Sequence, residues 1–123
     1  MTTTLTEKLT LHIPHAACVN GQLIPVDYAE MENLLYTHFM DSGFPSWYSL
    51  EAAGFYKGRR FQETLVTIYC EETRAAEVQK IFKETCWTRK EDMKQESFGY
   101  EYNGKFYVID FTKQKESVTI TTC

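Results

Sequence analysis

Ser97-Phe98-Gly99-Tyr100-Glu101-Tyr102-Asn103-Gly104-Lys105-Phe106-Tyr107-Val108-Ile109-Asp110-Phe111 is the stretch that decides the fold. Two aromatic-rich runs flank an Asn-Gly pair, and both of those residues accept the positive φ that a two-residue hairpin turn demands. With Asn103 and Gly104 as the loop, Tyr102 pairs with Lys105, Tyr100 with Tyr107 and Phe98 with Ile109 on one face. The other face then carries Glu101 opposite Phe106, Gly99 opposite Val108 and Ser97 opposite Asp110. Tyrosine buries a ring while its hydroxyl still needs water or a partner. The strip Tyr100, Tyr102 and Tyr107 is therefore read as a half-wet sheet face or a contact surface.

Working back toward the N-terminus, Leu9, Leu11 and Ile13 alternate with Thr10 and His12, a half-buried strand that ends at Pro14. His15 to Pro25, with Asn20-Gly21 inside it, is a loop or a small hairpin. Asp27 is the N-cap of a first helix, Glu30 closes a capping box, and Val26 is placed to staple against Met31. Met31, Leu34, Leu35, His38 and Phe39 make its buried stripe, and Gly43 followed by Pro45 stops it. Trp47 to Tyr56 is a second strand with a bend near Gly54, Lys57-Gly58-Arg59-Arg60 a turn, and Gln62 to Cys70 a central third strand, apolar on both faces. Thr73 is read as the cap of a second helix with the stripe Ala75, Val78, Ile81, Phe82 and Thr85. A charged connector, Arg89 to Lys94, leads into the hairpin.

The order strand, helix, strand, strand, helix, strand, strand predicts an α+β domain. It is the ferredoxin-like split βαβ plan, with two helices on one face of a mostly antiparallel sheet and an extra C-terminal hairpin strand. The sequence of 123 residues fits a single domain, 1–123, with a core over about 8–111 and residues 112–123 as a tail or an added edge strand. Eight Phe, eight Tyr and two Trp supply ample core material. No apolar run reaches the roughly 18 to 20 residues that span a bilayer. The start, Met1-Thr2-Thr3-Thr4, lacks the features of a signal peptide, so a cytoplasmic location is expected. In that compartment Cys18, Cys70, Cys86 and Cys123, which form no C-x-x-C pair, are expected to be free thiols.

The element order, together with Gln95-Glu96-Ser97 leading into the last hairpin, resembles a class of small uncharacterised ferredoxin-like domains found in bacteria and their phages. In size and charge the chain is also similar to phage inhibitors of bacterial defence, including anti-CRISPR proteins. That resemblance implies a phage-encoded inhibitor of a host factor and brings no catalytic residue or cofactor with it.

Charge points the same way. The net charge is −4. Between Lys8 and Lys57 there is no Lys or Arg, whereas Asp27, Glu30, Glu32, Asp41 and Glu51 all fall there. An acidic helix bearing Glu30 and Glu32 repels nucleic acid and suits a basic protein partner, although a solvated helix face has the same composition. Stacking of bases on the tyrosines is disfavoured for the same reason. An uncovered sheet face invites a second copy, so a homodimer is expected.

Other constellations have plain structural explanations beside their functional ones. His12, His15 and Cys18 are metal-capable, but a strand running into a proline loop does not gather that spacing, and no metal is expected. His38 on a buried stripe is a core imidazole, or a catalytic one if a carboxylate such as Glu63 stands beside it in a pocket. Lys57, Arg59 and Arg60 make a solvated hairpin tip, or a clamp for a phosphorylated or nucleotide-like ligand. No nucleophile motif is present. The leading expectation is thus a non-enzymatic interaction protein using Glu30, Glu32, Tyr100, Tyr102 and Tyr107. The alternative is a small-ligand binder or small dimeric α+β barrel enzyme using Lys57, Arg59, Arg60 and His38.

Overall fold

The computed structural model describes residues 2–111. The tail or edge strand expected over 112–123 lies outside the described residues. Along the chain run β1 (Glu7–Pro14), β2 (Ala16–Val19), β3 (Gln22–Pro25), α1 (Tyr28–Asp41), β4 (Tyr48–Tyr56), β5 (Arg59–Cys70), a 3-10 turn (Glu72–Arg74), α2 (Ala75–Arg89), β6 (Ser97–Tyr102) and β7 (Lys105–Asp110). Five strands form one antiparallel sheet in the order β4-β5-β1-β6-β7, and β2 and β3 make a small separate hairpin. This is the split βαβ arrangement with its added strand, as the sequence predicts. Among the described residues no helix is long and apolar enough to cross a membrane.

The closing hairpin has the register its Asn-Gly turn dictates: Tyr102 pairs with Lys105, Tyr100 with Tyr107 and Phe98 with Ile109. Asn103 and Gly104 sit at φ 48° and 83°, the left-handed pair whose twist matches that of the strands. Lys57 and Gly58 take the same conformation at φ 49° and 79°. The turn is therefore two residues long, and Arg59 and Arg60 belong to β5.

Strand alternation sends Leu9, Leu11 and Ile13 of β1 and Val66 and Ile68 of β5 toward the helices, where all five are fully buried. They meet Met31, Leu35 and Phe39 of α1 and Val78 and Phe82 of α2. The buried stripe of α1 is a single row at four-residue spacing, narrower than expected. Leu34 and His38 flank it and are only half-buried. Asp27 caps α1 by accepting a hydrogen bond from the Glu30 backbone N–H at 3.3 Å.

Thr73 does not cap α2. It lies within the 3-10 turn, and the N-cap position falls to Arg74 with no side-chain capping bond. Tertiary contacts hold this helix start instead. The Arg74 guanidinium stacks 3.7 Å from the Phe44 ring centre, donates to the Ser42 carbonyl at 2.7 Å and pairs with Glu77. Cys70 and Cys86 are free and buried. Cys18 is disulfide-bonded, so the expectation of four free thiols fails there.

Candidate functional site

Alternation on β1 that buries Leu11 and Ile13 turns His12 to the face without helices. Thr10 pairs with Glu101 of β6, and Pro14 with Glu63 of β5. His12 therefore sits diagonally between two carboxylates, at a separation long side chains bridge. Its Nδ1 lies 3.1 Å from Glu63 Oε1 and its Nε2 2.7 Å from Glu101 Oε2. Ionised carboxylates only accept, so both ring nitrogens donate and the ring is an imidazolium. Burial works against that charge, but the hydrogen bonds that the ring donates to Glu63 and Glu101, with the attraction of their charges, outweigh it and hold His12 above its ordinary value. Two carboxylates and one imidazolium leave the cluster with one net negative charge.

The Phe106 and His12 rings meet in a T-shaped contact, with centroids 5.3 Å apart and planes at 89°. Around this row the uncovered face is unusually apolar, with Tyr48, Leu50, Tyr56, Phe106 and Val108 all exposed. A groove of about 560 Å³ opens at the β6–β7 side, within the size range of small-molecule sites. Phe61, Phe106 and Val108 give it apolar walls, while His12, Glu63, Glu96, Arg59 and Lys94 give it charges of both signs. The β2–β3 hairpin forms its rim. Gln95 ties the adjoining loop to that rim by donating to the Ala16 carbonyl at 3.1 Å, so Gln95-Glu96-Ser97 belongs to the groove wall.

The residues singled out in the sequence are scattered. Of Lys57, Arg59, Arg60 and His38, only Arg59 lines the groove. Alternation turns Arg60 to the opposite face, across from Phe55, and the Lys57 ammonium rests 5.4 Å from the Tyr56 ring. His38 borders a separate open hollow beside α2, with Lys80, Lys83 and Trp87. Glu63 bonds His12 on the far side of the sheet, so the His38–Glu63 pair does not form. His15 stacks on Tyr28 at 3.5 Å and hydrogen-bonds Thr64, which separates it from His12. Among the described residues no group of three or more His, Cys, Asp or Glu side chains is arranged so that it could hold a metal ion.

Glu30 is exposed and Glu32 half-exposed on α1. The tyrosine strip faces the helices. Tyr100 is 3% exposed, packs on Phe82 and donates to Gln79 at 2.8 Å. Tyr102 donates to Glu7 at 2.6 Å, and Tyr107 stacks on Tyr100. Tyr100 and Tyr102 thus serve the core, and only Tyr107 offers much surface. The site that did form, His12 with Glu63 and Glu101, was missed. Its one signal was that alternation puts His12 and Glu101 on the same, non-tyrosine face.

Fold and site together define a small α+β domain with an aromatic groove of mixed charge on its helix-free face. Solved structures of a phage SAM lyase share this fold. The apo lyase matches with a TM-score of 0.60 at 18% identity, covering 89% of this chain and 95% of that one. The lyase in complex with S-methyl-5'-thioadenosine matches with a TM-score of 0.61 at 15% identity, covering 92% and 98%. No family model and no curated protein matches the sequence. These fold neighbours are phage proteins, in line with the resemblance drawn from the sequence. The expectation of a non-enzymatic interaction protein, an inhibitor of the anti-CRISPR type, is overturned, because the proteins that share the fold over nearly their whole length are enzymes.

Proposed function

We propose that the chain is an enzyme of the SAM lyase kind, binding a sulfonium nucleoside in the groove beside His12. The observation that carries this reading is the match along 98% of a lyase structure holding S-methyl-5'-thioadenosine. The groove's chemistry supports it. Cleaving SAM to that thioether breaks the bond from sulphur to the γ-carbon of the amino-acid chain, while an oxygen of the substrate's own carboxylate bonds to that carbon and closes a lactone. The electron pair stays on sulphur and the sulfonium charge disappears. Apolar walls such as Phe61 favour that loss of charge, since water-excluding surroundings solvate the cation less well than water does. Arg59 and Lys94 meet the substrate's carboxylate, and Glu63 or Glu96 its ammonium group. No residue has to supply a nucleophile, consistent with the absence of a nucleophile motif.

The purified chain incubated with SAM is expected to release S-methyl-5'-thioadenosine in proportion to protein, read by chromatography and mass. A folded preparation that gives no more thioether than the buffer blank sinks the reading. The homodimer is also proposed, on the apolar surface that Tyr48, Leu50 and Tyr69 leave exposed on the same face. Light scattering that gives a monomer mass at high micromolar concentration removes it.

A further inference from the structure

Two glycines on the helix-free face lie beneath aromatic rings. A Cβ built on Gly99 would stand 2.2 Å from Phe106 Cζ and 2.9 Å from its Cε1. One built on Gly54 would stand 2.5 Å from Phe61 Cζ and 3.1 Å from Glu63 Oε2. Such distances mean that each ring lies down on the sheet over a position without a side chain. The last ladder pair of β1 and β6 is Leu11 with Tyr100, so the next position opposite His12 is Gly99. The Phe106 ring fills that vacancy and is braced by the T-shaped contact with His12. Its inner face is on the sheet and its outer face looks into the groove, where Phe106 is 59% exposed.

We propose that Phe106 is the stacking face for the purine ring of the ligand and that Gly99 is a positioning residue that lets the ring lie flat. The identity of the ligand, a purine nucleoside thioether, rests on the proposed function; the flat, groove-facing ring does not. Base-on-aromatic stacking tolerates a flat, laterally braced ring and is lost when the ring stands on edge. A methyl group at position 99 meets only the far end of an exposed side chain, so the ring tips outward while the strand stays in place.

The test is calorimetric binding of S-methyl-5'-thioadenosine to the intact protein, with thermal melts alongside. Gly99→Ala and Phe106→Ala are each expected to weaken binding about tenfold, with little change in Tm. Because the glycine acts through the ring, the double variant is expected to bind no more weakly than Phe106→Ala alone. Phe106→Leu, which keeps bulk and loses the flat face, supplies the same loss without altering position 99, should Gly99→Ala fail to fold. Unchanged binding in Phe106→Leu, additive losses in the double variant, or no binding by the unmodified protein overturns the inference. The proposed function falls separately: stacking with this pattern but no SAM cleavage refutes the lyase alone. Cleavage with an unchanged KM in Phe106→Leu refutes the stacking alone.

Discussion

Truncating Phe82 to alanine is expected to remove about 3 to 5 kcal/mol of stability, a large share of the roughly 5 to 15 kcal/mol that a domain of this size holds. Phe82 is fully buried, and its ring lies edge-on to Phe39 of α1 at 6.2 Å and to Tyr100 of β6 at 5.7 Å. It therefore joins both helices to the sheet, and no neighbour relaxes into its place without giving up a second contact. Urea unfolding is expected to show a lower midpoint with an unchanged slope. A loss under about 1 kcal/mol would mean that the packing around α2 differs from that described.

Replacing His12 by alanine is expected to cost about 1 to 3 kcal/mol near neutral pH, since Glu63, only 13% exposed, then faces Glu101 with no cation between them. The larger effect is on the shape of the stability profile. His12 in the folded protein holds its proton above the ordinary value of 6.5, so folding takes up protons. The stabilisation is complete below that value and is lost as pH rises through the raised one. The unmodified protein should therefore become easier to unfold as pH rises above 6.5, and His12→Ala should flatten that slope. Parallel urea-midpoint curves for the two proteins from pH 6 to pH 9 would show that the clamp does not exist in solution.

The hairpin register and the element order were legible because they are local. Asn103-Gly104 admits one turn geometry, and alternation on either side of it fixes every pair to Phe98 and Ile109. The start of α2 was misread because Thr73 looks like a cap, whereas Arg74 replaces the missing capping bond with contacts to Ser42 and Phe44, 32 and 30 positions back. The use of the tyrosines was also out of reach. Alternation groups Tyr100, Tyr102 and Tyr107 on one face but does not say which face the helices cover. The site was the least legible part, since His12 meets its carboxylates across 51 and 89 positions of chain. Residue types alone pointed to a binding protein. The enzymatic reading came from the fold's likeness to a lyase, and no motif in the sequence announces it.

The central place of β1 in the sheet bears on how the protein comes into being. Its neighbours, β5 and β6, are both encoded far downstream of it. During synthesis the first strand emerges with neither edge satisfied, and it waits through α1, β4 and the small hairpin before β5 offers a partner. Its other edge stays open until β6 has cleared the ribosome. A chain built on such distant pairings closes its loops late and folds more slowly than a helical bundle of similar size. For most of translation the apolar side of β1, Leu9, Leu11 and Ile13, is therefore the surface that the nascent polypeptide must keep from its neighbours.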